Sequence, residues 1–245
     1  MATMQNILIN LAKNTDIDFS NIDYSKKTGL REKKERQLQE QIEEARQFNE
    51  KKKKRLMYSN IPRKFIGLKF SDLEMNKNNK KIINLCYKAV ENIDNLKKGF
   101  YLYGDCGVGK TTLISIMAQL LGNHKGKEIY FASEEDILAE IRNAYNRDSD
   151  LQDTDIIINI CKNDIVFIDE IGQNTTEWSL RILKRIIDEC IGRRKLMFIT
   201  SNYTHSELIK LWTKTTNEVL AMQVVDRLQE ITKMIKLDGE SWRQK

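Results

Sequence analysis

The residues Gly104-Asp105-Cys106-Gly107-Val108-Gly109-Lys110-Thr111-Thr112 combine three glycines, a lysine and two hydroxyls in the order that binds a phosphate chain. They fit G-x-x-x-x-G-K-[ST]. The glycines let backbone N–H groups curl around phosphate oxygens, and a following helix presents its positive end to them. Lys110 is placed to reach β- and γ-phosphates, and the Thr111 hydroxyl to ligate Mg2+. Such a loop needs a strand before it and a helix after it. Gly99–Tyr103 reads as a short buried strand, and Leu113, Ile114, Ile116, Met117, Leu120 and Leu121 recur with helical periodicity behind the motif.

A second segment carries acid chemistry. Ile165-Val-Phe-Ile-Asp169-Glu170 is an apolar strand ending in two carboxylates. Asp169 at the strand end suits Mg2+ held through water, and Glu170 suits orienting or deprotonating an attacking water. Downstream, Leu196-Met-Phe-Ile-Thr200-Ser201-Asn202 is another apolar strand with a polar end. Asn202 fits a hydrogen bond to a γ-phosphate or to the attacking water, and equally an asparagine turn after a strand. Arg227 on a late helix and Arg243 near the C-terminus are suited to charge on a transferring phosphoryl group. With 41 Lys and Arg in the chain, spacing alone does not single them out.

The elements that must position these groups follow from the rest of the chain. Its 245 residues, 40% hydrophobic and 31% charged, suffice for one sizeable core plus an appendage. No apolar run approaches the ~20 residues of a membrane span, and no basic-then-apolar signal opens the chain. Cys86, Cys106, Cys161 and Cys190 are dispersed without a C-x-x-C pair, which argues against a zinc site or disulfide framework and for a reduced, cytoplasmic protein. The net charge of +6 is compatible with nucleic acid without establishing it.

Residues 1 to about 30 are polar behind a short apolar opening at Ile7, Leu8, Ile9 and Leu11. From Leu30 to Met57 charged residues and Gln dominate, with Leu38, Ile42, Ala45 and Phe48 forming a thin apolar stripe. A helix so patterned gains little from its own burial and serves either as a partner-seeking arm or as a charged spacer. Pro62 marks a boundary. Beyond it, strand-like segments at Glu128–Ala132, Asp164–Asp169, Leu196–Thr200 and Met234–Leu237 alternate with amphipathic stretches, the pattern of a parallel sheet covered on both faces. The expected domains are a helical N-terminal arm, 1–57, and an α/β domain, 58–245.

From Asn60 to the C-terminus the chain resembles the DnaC-type helicase loaders of bacteria and phages, in the clade shared with DnaA initiators and IstB-like transposition ATPases. The ordered set Asn60-Ile-Pro-Arg-Lys-Phe, GDCGVGKTT, FIDEIG, TSN, DRL and GESWR carries the resemblance. It implies a RecA-like AAA+ fold, ATP and Mg2+ as ligands, and weak hydrolysis stimulated by DNA or partner. Asn202 becomes a sensor-1 residue, Arg227 an arginine finger for a neighbouring subunit, and Arg243 a sensor-2 contact. The clade's inserted helix, here Ser133 to about Asp150, implies single-stranded DNA contacts from Arg142, Tyr145 and Arg147. By residue pattern the same segment is also an ordinary amphipathic helix burying Ile137, Leu138, Ile141 and Tyr145. Arg193-Arg194-Lys195 fits either that channel or the cap of a helix C-terminus. The implied partners are a replicative hexameric helicase gripped by residues 1–57, single-stranded DNA, and further copies of the chain, with no membrane. The alternative within the clade is an IstB-like ATPase that helps a transposase select target DNA.

Overall fold

A computed structural model describes residues 36–44, 60–76, 79–145 and 153–239. The chain divides into two units, residues 1–54 and 55–245. In the first, residues 36–44 form a helix whose least exposed positions are Leu38 and Ile42, members of the apolar stripe.

The second unit is built on five parallel strands. β1 (Gly99–Tyr103), β2 (Ile129–Ser133), β3 (Ile165–Ile171), β4 (Leu196–Ser201) and β5 (Thr232–Lys236) lie in the order β2-β3-β4-β1-β5. Their side chains alternate between two cores, as a pleated strand buried on both faces requires. Phe100, Leu102, Phe131, Phe167 and Phe198 face α1 (Lys80–Glu91) and α2 (Lys110–Asn123). Tyr101, Ala132, Val166, Ile168, Met197 and Ile199 face α3 (Glu134–Tyr145), α4 (Asp153–Cys161), α5 (Glu177–Gly192), α6 (His205–Trp212) and α7 (Glu218–Ile231). On the first face a ring ladder crosses four strands, with Phe131, Phe167, Phe198 and Phe100 at successive centroid separations of 6.0, 5.0 and 5.5 Å. It seats α2, and with it the start of the phosphate-type loop.

Local chemistry explains where these helices begin. Thr176 caps α5 by accepting from Ser179 N, Thr204 and Glu207 form a reciprocal capping box on α6, and Asn217 caps α7 by accepting from Val219 N. The strand expected at Met234–Leu237 instead starts at Thr232. Thr232 is also the C-cap of α7, its hydroxyl bonded to Leu228 O, so helix passes into strand with no loop between. The β3 strand runs past Asp169 to Ile171 because a bulge between Ile168 and Ile171 absorbs Glu170 without ending the pairing.

Candidate active site

The site lies at the C-terminal edge of the sheet, where open α/β sheets bind ligands. The loop from Gly104 to Gly109 joins β1 directly to α2, whose N-cap is Gly109 in the left-handed region (φ 97°). Gly104 admits no side chain: a Cβ there would stand 2.1 Å from Leu237 O. The close approach is held by Leu237 N donating to Tyr103 O at 2.7 Å, which ties the end of β5 under the loop.

Lys110 folds back into this loop. Its ammonium donates to Gly104 O (2.7 Å), Asp105 O (2.8 Å) and Asn202 Oδ1 (2.8 Å). Burial pulls its pKa down, and the nearby Glu170 and Asp169 partly offset that. A buried cation held only by neutral oxygens is poised for an anionic ligand.

The acidic pair separates by backbone geometry. Asp169 is buried, and its Oδ1 accepts from Thr111 Oγ1 at 3.0 Å and from Thr200 Oγ1. Burial raises its pKa, and these two hydroxyl bonds oppose the rise. Glu170 adopts φ 56°, an unusual conformation for a residue with a Cβ. That turn keeps its side chain on the open side of the strand, and its backbone N–H is held by Thr200 Oγ1 at 2.8 Å. Its carboxylate accepts from Gln173 Nε2 at 2.9 Å. Thr200 therefore organises both carboxylates, donating to one and accepting from the other's backbone.

The hard oxygens of Thr111 and Asp169, 3.0 Å apart, fit Mg2+ completed by water and phosphate oxygens. Beside the loop, Leu73, Ile83, Val108, Leu113 and Leu237 with Asn79 line a small, mostly apolar hollow.

The structure thus brings Lys110, Thr111, Asp169, Glu170 and Asn202 together from three strand ends. Arg227 lies elsewhere, on α7, in ion pairs with Asp188 (3.2 Å) and Glu230 (2.5 Å). Arg243, Arg147 and the Tyr145 side chain lie outside the described residues. Arg142 is engaged: its guanidinium sits 4.9 Å over the Trp178 ring at the start of α5. Ile137, Leu138 and Ile141 of the same helix are core residues. In the 193–195 cluster, Arg193 is the C-cap of α5 and pairs with Glu189, and Lys195 donates to Lys162 O. These contacts match the helix-capping alternative.

Three residues of the site were not singled out by sequence reasoning: Thr200, Gln173 and Glu134. Glu134, 3% exposed, accepts through Oε2 from the N–H groups of Gly172, Gln173 and Asn174. A signal existed for two of them. Thr200 is the first polar residue near the end of an apolar strand, and Glu134 is an acidic residue directly after the β2 strand.

The chain matches the family model described as IstB-like ATP binding protein over residues 20–245. It is 27% identical over 153 residues to the replicative helicase loader DnaI of Bacillus subtilis, covering 60% of this chain and 48% of that protein. The chain thus spans about half the length of that relative. Among solved structures, that of the DnaC helicase loader superposes with a TM-score of 0.61 at 18% identity, covering 72% of this chain and 99% of that one. AMPPCP-bound DnaA from Aquifex aeolicus gives 0.59 at 13% identity, covering 76% and 54%. The fold is that of the RecA-like AAA+ proteins.

Proposed function

Because the chain belongs to the IstB-like ATP-binding protein family, we propose that it hydrolyses ATP and uses the cycle to place a replicative hexameric helicase on single-stranded DNA. The observation that carries hydrolysis is the convergence of the Lys110–Asn202 and Thr111–Asp169 pairs on one loop. The helicase partner is supported by a relative named as a replicative helicase loader.

In this reading the phosphates take over Lys110 from the Gly104 and Asp105 carbonyls. Thr111 and Asp169 would hold Mg2+, which supplies charge neutralisation on the transferring phosphoryl group. Glu170 orients the attacking water and receives its proton, and Asn202 hydrogen-bonds the γ-phosphate or that water. The base packs against the apolar surface at Leu73, Val108 and Leu237. Arg243 contacts nucleotide in its own subunit, and Arg227 leaves Asp188 and Glu230 to complete a neighbour's site. Residues 1–57 form a helical arm that grips the helicase, residues 58–245 the ATPase domain, and Arg142, Tyr145 and Arg147 contact single-stranded DNA. The protein acts in the cytoplasm.

The test is co-purification of the chain, intact and lacking residues 1–57, with the replicative helicase of its source, with ATP and single-stranded DNA present. Binding that requires the N-terminal segment is expected. No binding by the intact chain overturns the loader reading and makes a transposase and duplex DNA the partners to test.

A further inference from the structure

We infer that Glu134 is a positioning residue for ATP hydrolysis, anchoring the turn through which Gln173 holds the Glu170 carboxylate. The inference rests on the hydrolytic reading above and adds a residue that acts through others.

Glu134 opens α3 directly after β2. A carboxylate in the first turn of a helix ordinarily stays in solvent and complements its own helix's dipole. Glu134 is instead almost fully buried and turned away to the next strand's exit. Its Oε2 receives three consecutive N–H groups, Gly172 at 3.0 Å, Gln173 at 3.3 Å and Asn174 at 3.4 Å. Successive N–H groups converging on one oxygen form a nest, which fixes the backbone of all three residues. Gly172 takes φ 94° there, and a Cβ on it would meet Leu208 Cδ2 at 2.6 Å, so the turn position favours glycine.

Gln173 is the middle residue of this turn. From it Gln173 Nε2 reaches Glu170 Oε2 at 2.9 Å. Glu170 is thereby held at two ends: Thr200 on β4 fixes its backbone, and Gln173, anchored by Glu134, fixes its carboxylate. α3 grips the segment again at Trp178, under the Arg142 guanidinium. Removing the Glu134 carboxyl leaves three N–H groups without their acceptor, which frees the turn and then the Glu170 side chain. A general base displaced by a fraction of an ångström loses rate without losing substrate.

The experiment uses the full chain, with steady-state ATP turnover, binding of a fluorescent ADP analogue, and thermal melting. Glu134→Ala is expected to lower kcat by about tenfold or more while KM and ADP affinity stay within about twofold. Glu134→Gln keeps an oxygen at the nest and recovers most of the rate. Gln173→Ala, on an exposed side chain, lowers kcat without lowering the melting temperature. The double variant Glu134→Ala/Gln173→Ala is no slower than the slower single, because both act through one contact. Unchanged kcat in Gln173→Ala, additive losses in the double variant, or Glu134→Gln no better than Glu134→Ala each overturn the inference. Glu170→Gln separates the two levels: if it leaves turnover intact, the hydrolytic reading fails and the inference falls with it. If it abolishes turnover, the Glu134 and Gln173 results decide the inference alone.

Discussion

Lys110 and Asn202 are joined by a 2.8 Å hydrogen bond from the lysine ammonium to the asparagine side-chain oxygen. They are 92 positions apart, and adjacency of β1 and β4, with Tyr103 opposite Ser201, brings them together. The same asparagine that would touch the γ-phosphate thus holds the lysine that must release to meet it. Asn202→Ala is expected to leave nucleotide affinity within about threefold and to lower turnover by roughly 10²-fold, since the lost donor acts where charge develops. Lys110→Ala removes ATP binding altogether. Equilibrium nucleotide binding and steady-state turnover on the two variants check both outcomes.

Thr200 serves two partners at once. Its hydroxyl donates to Asp169 and accepts from Glu170 N. Thr200→Val keeps the shape and deletes both bonds, leaving a backbone N–H without its acceptor at a cost of about 1–3 kcal/mol. Chemical denaturation reads that loss. Turnover falls as well, with a raised Mg2+ requirement, because Asp169 is no longer oriented; an unchanged Mg2+ titration would contradict this.

Arg227 is half-buried and, among the described residues, pairs with Asp188 and Glu230. Surface pairs of this kind contribute little to stability, so Arg227→Ala is expected to shift the melting temperature by no more than about 2 °C. Nucleotide binding is spared, and turnover drops only under conditions where copies of the chain associate. Equal turnover at high and low protein concentration in wild type and variant would remove Arg227 from the site.

Burial pushes the Glu134 carboxyl up to about 7. Its folded-state pKa therefore lies above the unfolded value near 4.5. The stability it contributes is fully present below the unfolded pKa and is lost as pH rises through the folded one. The loss amounts to about 3 kcal/mol at most between roughly pH 4.5 and 8. Glu134→Gln cannot titrate, so the wild type is expected to lose stability relative to it across that window. Denaturant unfolding of both proteins at several pH values measures the difference, and parallel curves would rule it out.

Much of the site was legible because its motifs are local. A loop of glycines ending in Lys110-Thr111 between an apolar strand and a helical pattern has few physical uses, and the β3 strand announces Asp169 and Glu170 in the same way. The strand positions followed from apolar alternation bounded by turns, with shifts where a bulge lengthened β3 and where α7 ran straight into β5. Arg142 was legible as a cation on an exposed helix edge but not as a cation already stacked on Trp178, since that ring belongs to another helix.

The sequence by itself determined the phosphate-type loop, the acidic strand end, the parallel α/β sheet and the position of Asn202, because periodicity and motif spacing act over neighbouring residues. Tertiary structure alone decided that Lys110 rests on Asn202, that Thr200 serves both carboxylates, and that Glu134 commands the turn after Glu170. Those relationships join residues 30 to 92 positions apart. A hydroxyl or carboxyl has the same identity whether solvated or buried, and only the register of β2, β3, β4 and β1 determines which partner it meets.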